Sequence, residues 1–145
     1  MKIHFYKIPP IPKPRMTQAD KKPDRRPGRP KWRPCVVRYR TFENMCIANR
    51  VVVPKCNSHI IFFLPMPRSW SKKKREKFYL MPHRQKPDRS NLVKAIEDAT
   101  TKNDQDIFDL RASKFWANIG AILIIEDAHN VYDVHTTVKL YSLGV

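Results

Sequence analysis

Short stretches of alternating or continuous apolar residues run through this 145-residue chain and predict five strands. Residues 2–8 alternate around Ile3 and Phe5, whereas residues 59–64 (HIIFFL) are apolar almost throughout, as expected of a buried strand. The other strand-like stretches cover residues 107–116, 120–125 and 134–140. Short strands of this kind indicate a sheet that is built into a core.

Two longer stretches before residue 80 favour helices. The first covers residues 36–50, and its apolar residues are Val37, Phe42, Met45 and Ile47. The second covers residues 67–78, with Ser69 or Ser71 as its cap and a densely basic exposed face.

A third helix is predicted to begin at Asp88, because the carboxylate of an N-cap residue can accept a backbone N–H of the first turn. It continues to about Thr100, and its buried side comprises Leu92, Val93, Ile96 and Ala99. Together with the strands, these helices predict a small α+β domain with a mixed or antiparallel sheet flanked by helices.

Residues 9–34 interrupt this pattern with eight prolines and nine Lys or Arg side chains. Such a composition cannot form a core and resists regular structure, so the segment is interpreted as an extended basic arm. A chain of this length is expected to form a single domain over residues 1–145, with the arm as part of it.

Composition limits the classes of protein that the chain can represent. Three cysteines without a CxxC pair make disulfides and a zinc site improbable. No apolar run is long enough to cross a membrane, and prolines and charges interrupt the N-terminus, so the expected compartment is the cytoplasm.

The net charge of +16 is unevenly distributed. Residues 1–87 carry 23 basic and 4 acidic side chains, whereas residues 88–145 carry 6 basic and 9 acidic ones. A polyanion-binding region joined to an acidic site would produce this segregation. Nucleic acid is the expected polyanion, and a membrane is not, since the basic part lacks an amphipathic pattern.

Candidate chemistry lies on the third predicted helix, where Asn91, Lys94 and Asp98 share one face and Asp88 stands at its head. From spacing alone, a solvated surface with a Lys94–Asp98 pair is the favoured interpretation. The alternative is a polar face that lines a cleft.

Asp104, Asp106 and Asp109 follow that helix and precede a predicted strand. On an extended chain Asp104 and Asp106 would point the same way, although all three also suit turns. Hard divalent cations take oxygen ligands from separate elements, so Asp88 and Asp104 would suffice if the strand packs beside the head of the helix.

The segment KPDRSNLVK at residues 86–94 is followed by the pair Asp98-Ala99, by Asp104 and by Lys114. Together with PPIPKPR near the N-terminus and the segment MPRSWSKKKREK, it resembles the RusA family of Holliday-junction resolvases, which is common in phages and prophages. The resemblance covers most of the chain. It implies Mg²⁺-dependent cleavage of four-way or branched DNA by a homodimer in the cytoplasm of a bacterial host.

The resemblance also implies roles for individual residues. Asp88 and Asp104 would be catalytic metal ligands and Lys94 the essential lysine, with Asn91 and Asp98 in support. The family carries an acid where this chain has Ser90, and another where it has Asn103. Ser90 offers a metal only a neutral hydroxyl. Asp106 or Asp98 could compensate for the missing carboxylate. The basic residues expected to contact DNA are Lys72, Lys73, Lys74, Arg75, Lys77, Lys86, Arg15, Arg25 and Arg26.

Three functions therefore remain open. The first is a junction-resolving endonuclease. The second is a non-catalytic junction-binding protein on the same fold, which the change at Ser90 favours. The third is a general basic nucleic-acid-binding protein in which the acids are incidental.

Overall fold

A four-stranded mixed sheet organises the part of the chain described by the computed structural model, residues 2–127 and 133–145. Its strands are β1 (Lys2–Tyr6), β2 (Ser58–Pro65), β3 (Leu110–Ala117) and β4 (Ala121–Glu126). Their spatial order is β1-β4-β2-β3; β2 and β3 run parallel, and the other two pairs are antiparallel. The predicted α+β class with a mixed sheet is confirmed.

Four α-helices and two short 3-10 helices accompany the sheet in the described residues. The α-helices are α1 (Pro34–Ala48), α2 (Lys72–Phe78), α3 (Arg89–Thr100) and α4 (Val134–Leu140). The 3-10 helices are Gln18–Lys21 and Asp104–Asp106. Within these same ranges, none of the helices combines the length and the apolar character that crossing a bilayer requires.

The apolar run of β2 is buried because helices cover both faces of the sheet. On one face, Ile60, Phe62 and Leu64 join a cluster with side chains of α1 and α3. On the other face, Ile61 and Phe63 pack in a second cluster with side chains of α4. Helix α3, which carries the candidate chemistry, is thus anchored on the core by its apolar side and also contacts α1 and β3.

Residues 134–140 were expected to form a strand, and this prediction is wrong, because they form α4. Asp133 caps the helix: its carboxylate accepts the backbone N–H and the hydroxyl of Thr136 at 2.9 and 2.7 Å. The buried residues Val134, Thr137 and Val138 follow helical spacing. The β-branched side chains of this segment have a strand-like composition, and the local cap outweighs it.

Several predicted boundaries also shift. Helix α1 begins at Pro34 and not at residue 36, and its buried side differs from the expected one because Val37 and Ile47 are exposed. Helix α2 begins only at Lys72, where Ser71, one of the two candidate caps, accepts the backbone N–H of Lys74 at 3.2 Å. Strand β1 ends at Tyr6 because two prolines follow Ile8.

The buried histidine of β2 makes stability depend on pH. Burial lowers the pKa of His59 to about 4. The unfolded state therefore takes up a proton near pH 6.5 while the native state stays neutral, so stability falls as the pH drops from about 6.5 towards 4.

The free energy of unfolding of the wild type should fall between pH 7 and pH 5, and His59 should account for roughly 2 kcal/mol of that fall. We expect His59→Gln to lack this part of the fall. Urea unfolding at both pH values measures this difference. His135→Gln, at an exposed position of α4, is the matched control and should behave like the wild type. Equal pH sensitivity of the wild type and His59→Gln would contradict the expectation.

Candidate active site

Lys94 lies between two carboxylates on the exposed side of α3. Its Nζ is 3.0 Å from Asp98 Oδ1, one helical turn along, and 2.8 Å from Asp104 Oδ2. The side chains of Lys94 and Asp104 are about half exposed, at 51% and 46%, whereas that of Asp98 is 22% exposed. The predicted face of Lys94 and Asp98 is therefore present, and Asp104 joins it.

These contacts stabilise the charged forms of both partners. The hydrogen bond to Asp104, followed by the one to Asp98, raises the pKa of Lys94 above its ordinary value. The same lysine lowers the pKa of Asp104. The site thus holds a permanent cation and a permanent anion over the physiological pH range.

Asp104 reaches Lys94 because the chain turns back after α3 into the 3-10 helix Asp104–Asp106. The extended geometry assumed for Asp104 and Asp106 is therefore wrong, and their side chains bind different lysines. Asp106 is 3.3 Å from Lys55 Nζ. Asp109 accepts the backbone N–H of Asn57 at 3.0 Å. Of these three acids, Asp104 is the one that the fold brings to Lys94.

Asp88 occupies the predicted N-cap position of α3, but its side chain makes no capping hydrogen bond. The expected bond from its carboxylate to the first turn is thus wrong. An exposed carboxylate that leaves the helix uncapped keeps its lone pairs for other partners.

Lys114 of β3 holds the loop that leads into Asp88. Its Nζ donates to the backbone carbonyls of Gln85 and Pro87 at 2.5 and 2.6 Å. Burial lowers the pKa of Lys114, and the nearby charge of Asp88 opposes that shift. Nearby, the guanidinium of Arg89 donates to the Ala112 carbonyl at 3.4 Å. Strand β3 thereby fixes the head of α3.

Ser90 and Asn91 both have exposed side chains in the first turn of α3. The backbone carbonyl of Asn91 accepts the backbone N–H of Lys13 at 3.1 Å, so the N-terminal segment touches the helix at this point.

The oxygen donors near α3 can be compared with the needs of the divalent cation that the sequence resemblance implies. Within residues 2–127 and 133–145, no group of three or more His, Cys, Asp or Glu side chains is arranged to hold a metal ion. Mg²⁺, however, is usually bound by one or two carboxylates, with water and substrate phosphate oxygens completing its shell. Asp88 and Asp104 are chemically suited to supply these two carboxylates. Their approach to a single ion stays a prediction.

The described part of the chain has two strongly cationic surfaces. The first is α2, where Lys72, Lys73 and Lys77 are exposed. The two other basic side chains of α2 are more constrained, because Arg75 is half-buried and Lys74 Nζ lies 4.2 Å from the ring centroid of Trp70. Lys77 Nζ lies farther from a ring, 6.0 Å from the centroid of Phe78, so Lys72, Lys73 and Lys77 are the least constrained of the expected DNA contacts on this helix.

The second surface is the proline-rich segment, which closes into a loop between residues 17 and 33. The guanidinium of Arg33 donates two hydrogen bonds, of 2.8 and 2.5 Å, to the carboxylate of the buried Asp20. The backbone N–H of Asp24 donates to the Lys31 carbonyl at 2.8 Å. Of the expected DNA contacts, Arg15 and Arg25 are exposed, as is Lys86 before α3. Arg26 is also exposed but pairs with Asp24 at 2.6 Å.

An α+β domain that sets carboxylates and a lysine on one exposed face, beside cationic surfaces, has the features of a nuclease. A model of the RusA endodeoxyribonuclease family matches residues 7–126, and the chain therefore belongs to this family. Membership implies resolution of Holliday junctions and binding of branched DNA. No curated protein and no solved structure matches the chain.

Sequence patterns do not reveal two partners of the site, Lys13 and Tyr39. Lys13 Nζ is 3.2 Å from Asp98 Oδ2 and donates to the Tyr39 hydroxyl at 3.1 Å. Both residues come from segments distant in sequence, so neither spacing nor periodicity could have assigned them to α3. The PPIPKPR segment was noticed only as part of a resemblance.

Proposed function

We propose that this chain is a Mg²⁺-dependent endonuclease that cuts four-way and other branched DNA. The observation that carries the proposal is the Asp98–Lys94–Asp104 network on the exposed face of α3. The carboxylate of Asp88 stands at the head of the same helix without a capping bond. Family membership supplies the class of substrate.

In this mechanism, Lys94 contacts the scissile phosphate. Two of its three ammonium hydrogens serve Asp98 and Asp104, so one remains for a phosphate oxygen. The ammonium then offsets charge as it develops on the phosphorus oxygens. The two carboxylates keep the lysine protonated and limit its movement, which holds it ready before the substrate arrives.

Asp88 and Asp104 would hold the Mg²⁺ ion, with Ser90 assisting through a bound water. RusA-type resolvases generally depend on a divalent metal. When bound, such an ion supplies a nucleophilic water and neutralises phosphate charge. Lys114 keeps the loop before Asp88 in place and so limits the movement of Asp88 at the head of α3.

Helix α2 and the basic loop would bind the DNA backbone. Such contacts are electrostatic and independent of sequence. We further propose a homodimer, because a two-fold symmetric pair of sites suits the cutting of two opposed strands.

A synthetic four-way junction and a linear duplex of matched sequence test this function. Each is incubated with the protein, with and without Mg²⁺, and strand cleavage and binding are measured in parallel. Paired symmetrical nicks in the junction alone, only with Mg²⁺, are the expected result. Equal affinity for both substrates without cleavage would contradict the proposal and favour a general basic binding protein.

A second candidate function is junction binding without cleavage. Two observations favour it: Ser90 replaces an acid of the family pattern, and no three-acid group forms in the described ranges. This protein would bind junctions selectively with or without Mg²⁺ and never nick them. The same assay distinguishes it from the endonuclease.

We expect Lys94→Ala to slow cleavage by about 10²-fold, while the Kd for the junction changes less than about threefold. The reason is that Lys94 acts on the developing phosphate charge, whereas most of the binding cations lie elsewhere. Single-turnover cleavage and fluorescence anisotropy measure the two quantities. Lys102→Ala, at an exposed position just beyond α3, is the control; normal cutting by Lys94→Ala would overturn its assigned role.

A further inference from the structure

Lys13 connects the proline-rich segment to the active-site face of α3. Its ammonium lies 3.2 Å from Asp98 Oδ2, donates to the Tyr39 hydroxyl at 3.1 Å, and sits 4.2 Å from the centroid of that tyrosine ring. Its backbone N–H donates to the Asn91 carbonyl. Lys13 is therefore held at both its backbone and its side chain.

Asp98 consequently lies between two ammonium groups. Lys13 binds Oδ2, and Lys94 binds Oδ1 of the same carboxylate. The side chains of Lys13 and Asp98 are 25% and 22% exposed, about half the exposure of Lys94. The Lys13–Asp98 pair thus forms the sheltered half of the network, and the Lys94–Asp104 pair forms its solvent-facing half.

The charge balance depends on Lys13. With it, two lysines face two carboxylates and the charges of these ion-paired groups balance, while Glu97 lies near enough to interact with the charges of Lys94 and Asp98. Without it, one lysine would face two carboxylates. Removing Lys13 would therefore leave an excess negative charge at the site, which would oppose the approach of a phosphate. Hydrogen bonds to Tyr39 and Asp98 outweigh burial and raise the pKa of Lys13, so it stays charged.

We propose that Lys13 is a positioning residue that neutralises Asp98, so that Asp98 holds Lys94 in place without adding net negative charge where the DNA phosphate binds. This inference rests on the proposed endonuclease function. It differs from a purely structural role, in which Lys13 only fastens the N-terminal segment to the domain. If Lys13 had only that structural role, its replacement would lower the cleavage rate whether or not residue 98 carried a charge.

A double-mutant cycle separates these roles, using single-turnover nicking of a four-way junction at saturating protein. Lys13→Met should lower the rate constant about tenfold, and Lys13→Arg should restore it to within about threefold. In an Asp98→Asn background, residue 98 carries no charge for Lys13 to neutralise. There, Lys13→Met should lower the rate constant by less than about twofold. Lys7→Met, which removes an exposed lysine between β1 and the proline-rich segment, should cut like the wild type.

The outcomes that overturn the proposal are distinct. Equal losses from Lys13→Met in both backgrounds, with normal wild-type cutting, overturn the positioning role alone. A wild-type chain that binds junctions and never cuts them overturns the proposed function and this role with it. Urea unfolding of all variants establishes that a lost rate does not come from a lost fold.

Discussion

Asp88→Asn should abolish junction cleavage and leave junction binding almost unchanged. The substitution keeps the size of the side chain and removes its charge, and the structure shows no capping bond that it would break. A divalent ion held by few carboxylates depends strongly on each one, and its loss removes the activated water. We therefore expect the single-turnover rate to fall by at least roughly 10³-fold.

The control for this experiment is Asp127→Asn. Asp127 is exposed at the end of β4 and has a positive φ of 56°, a conformation that asparagine adopts readily. It should cut and bind like the wild type. Binding should be measured by anisotropy in the presence of Ca²⁺, so that any loss of cutting is separated from a loss of affinity. Cleavage by Asp88→Asn at the wild-type rate would remove Asp88 from the mechanism.

Removing the free charges of α2 should have the largest effect on affinity. The triple change of Lys72, Lys73 and Lys77 to Gln spares the two constrained basic residues of the helix, so its fold should persist. Each lysine that neutralises a phosphate contributes about 0.9 to the slope of log K against log salt. The slope should therefore become shallower by up to about 2.7, and affinity at 50 mM salt should fall by up to roughly 10³-fold.

Replacing the same three lysines by arginine is the matched control, because it retains the charge and should retain the slope. Anisotropy titrations between 50 and 300 mM salt measure both variants. The cleavage rate at saturating protein should be nearly unchanged in the glutamine variant, since α2 binds the DNA and does not react with it. An unaltered salt slope would place the DNA on another surface.

The sheet and the helix that carries the candidate site were predictable because their signals are local. The run HIIFFL marks β2, and the apolar positions Leu92 and Ile96 orient α3 on the core. The polar side of that helix then follows from periodicity. The β-branched composition of residues 134–140 predicts a strand, but the cap that Asp133 provides favours the helix that the structure shows.

The connections of the site were not predictable, because they join distant segments. The return of Asp104 to Lys94 depends on a 3-10 turn, and the contact of Lys13 with Asp98 depends on how α1 and the N-terminal segment pack. Neither leaves a repeating pattern in the sequence. Family motifs pointed to Asp104 without showing its partner, and pattern analysis did not point to Lys13 as part of the site.

The ion pair of Asp20 with Arg33 closes the basic loop within the folded domain. A disordered arm would have to lose conformational entropy when it meets a polyanion, about 1–2 kcal/mol for each residue that becomes ordered. In this chain much of that ordering is complete once the domain has folded. Association with a polyanion should accordingly show the calorimetric signature of a rigid-body encounter, without the large heat-capacity change of coupled folding.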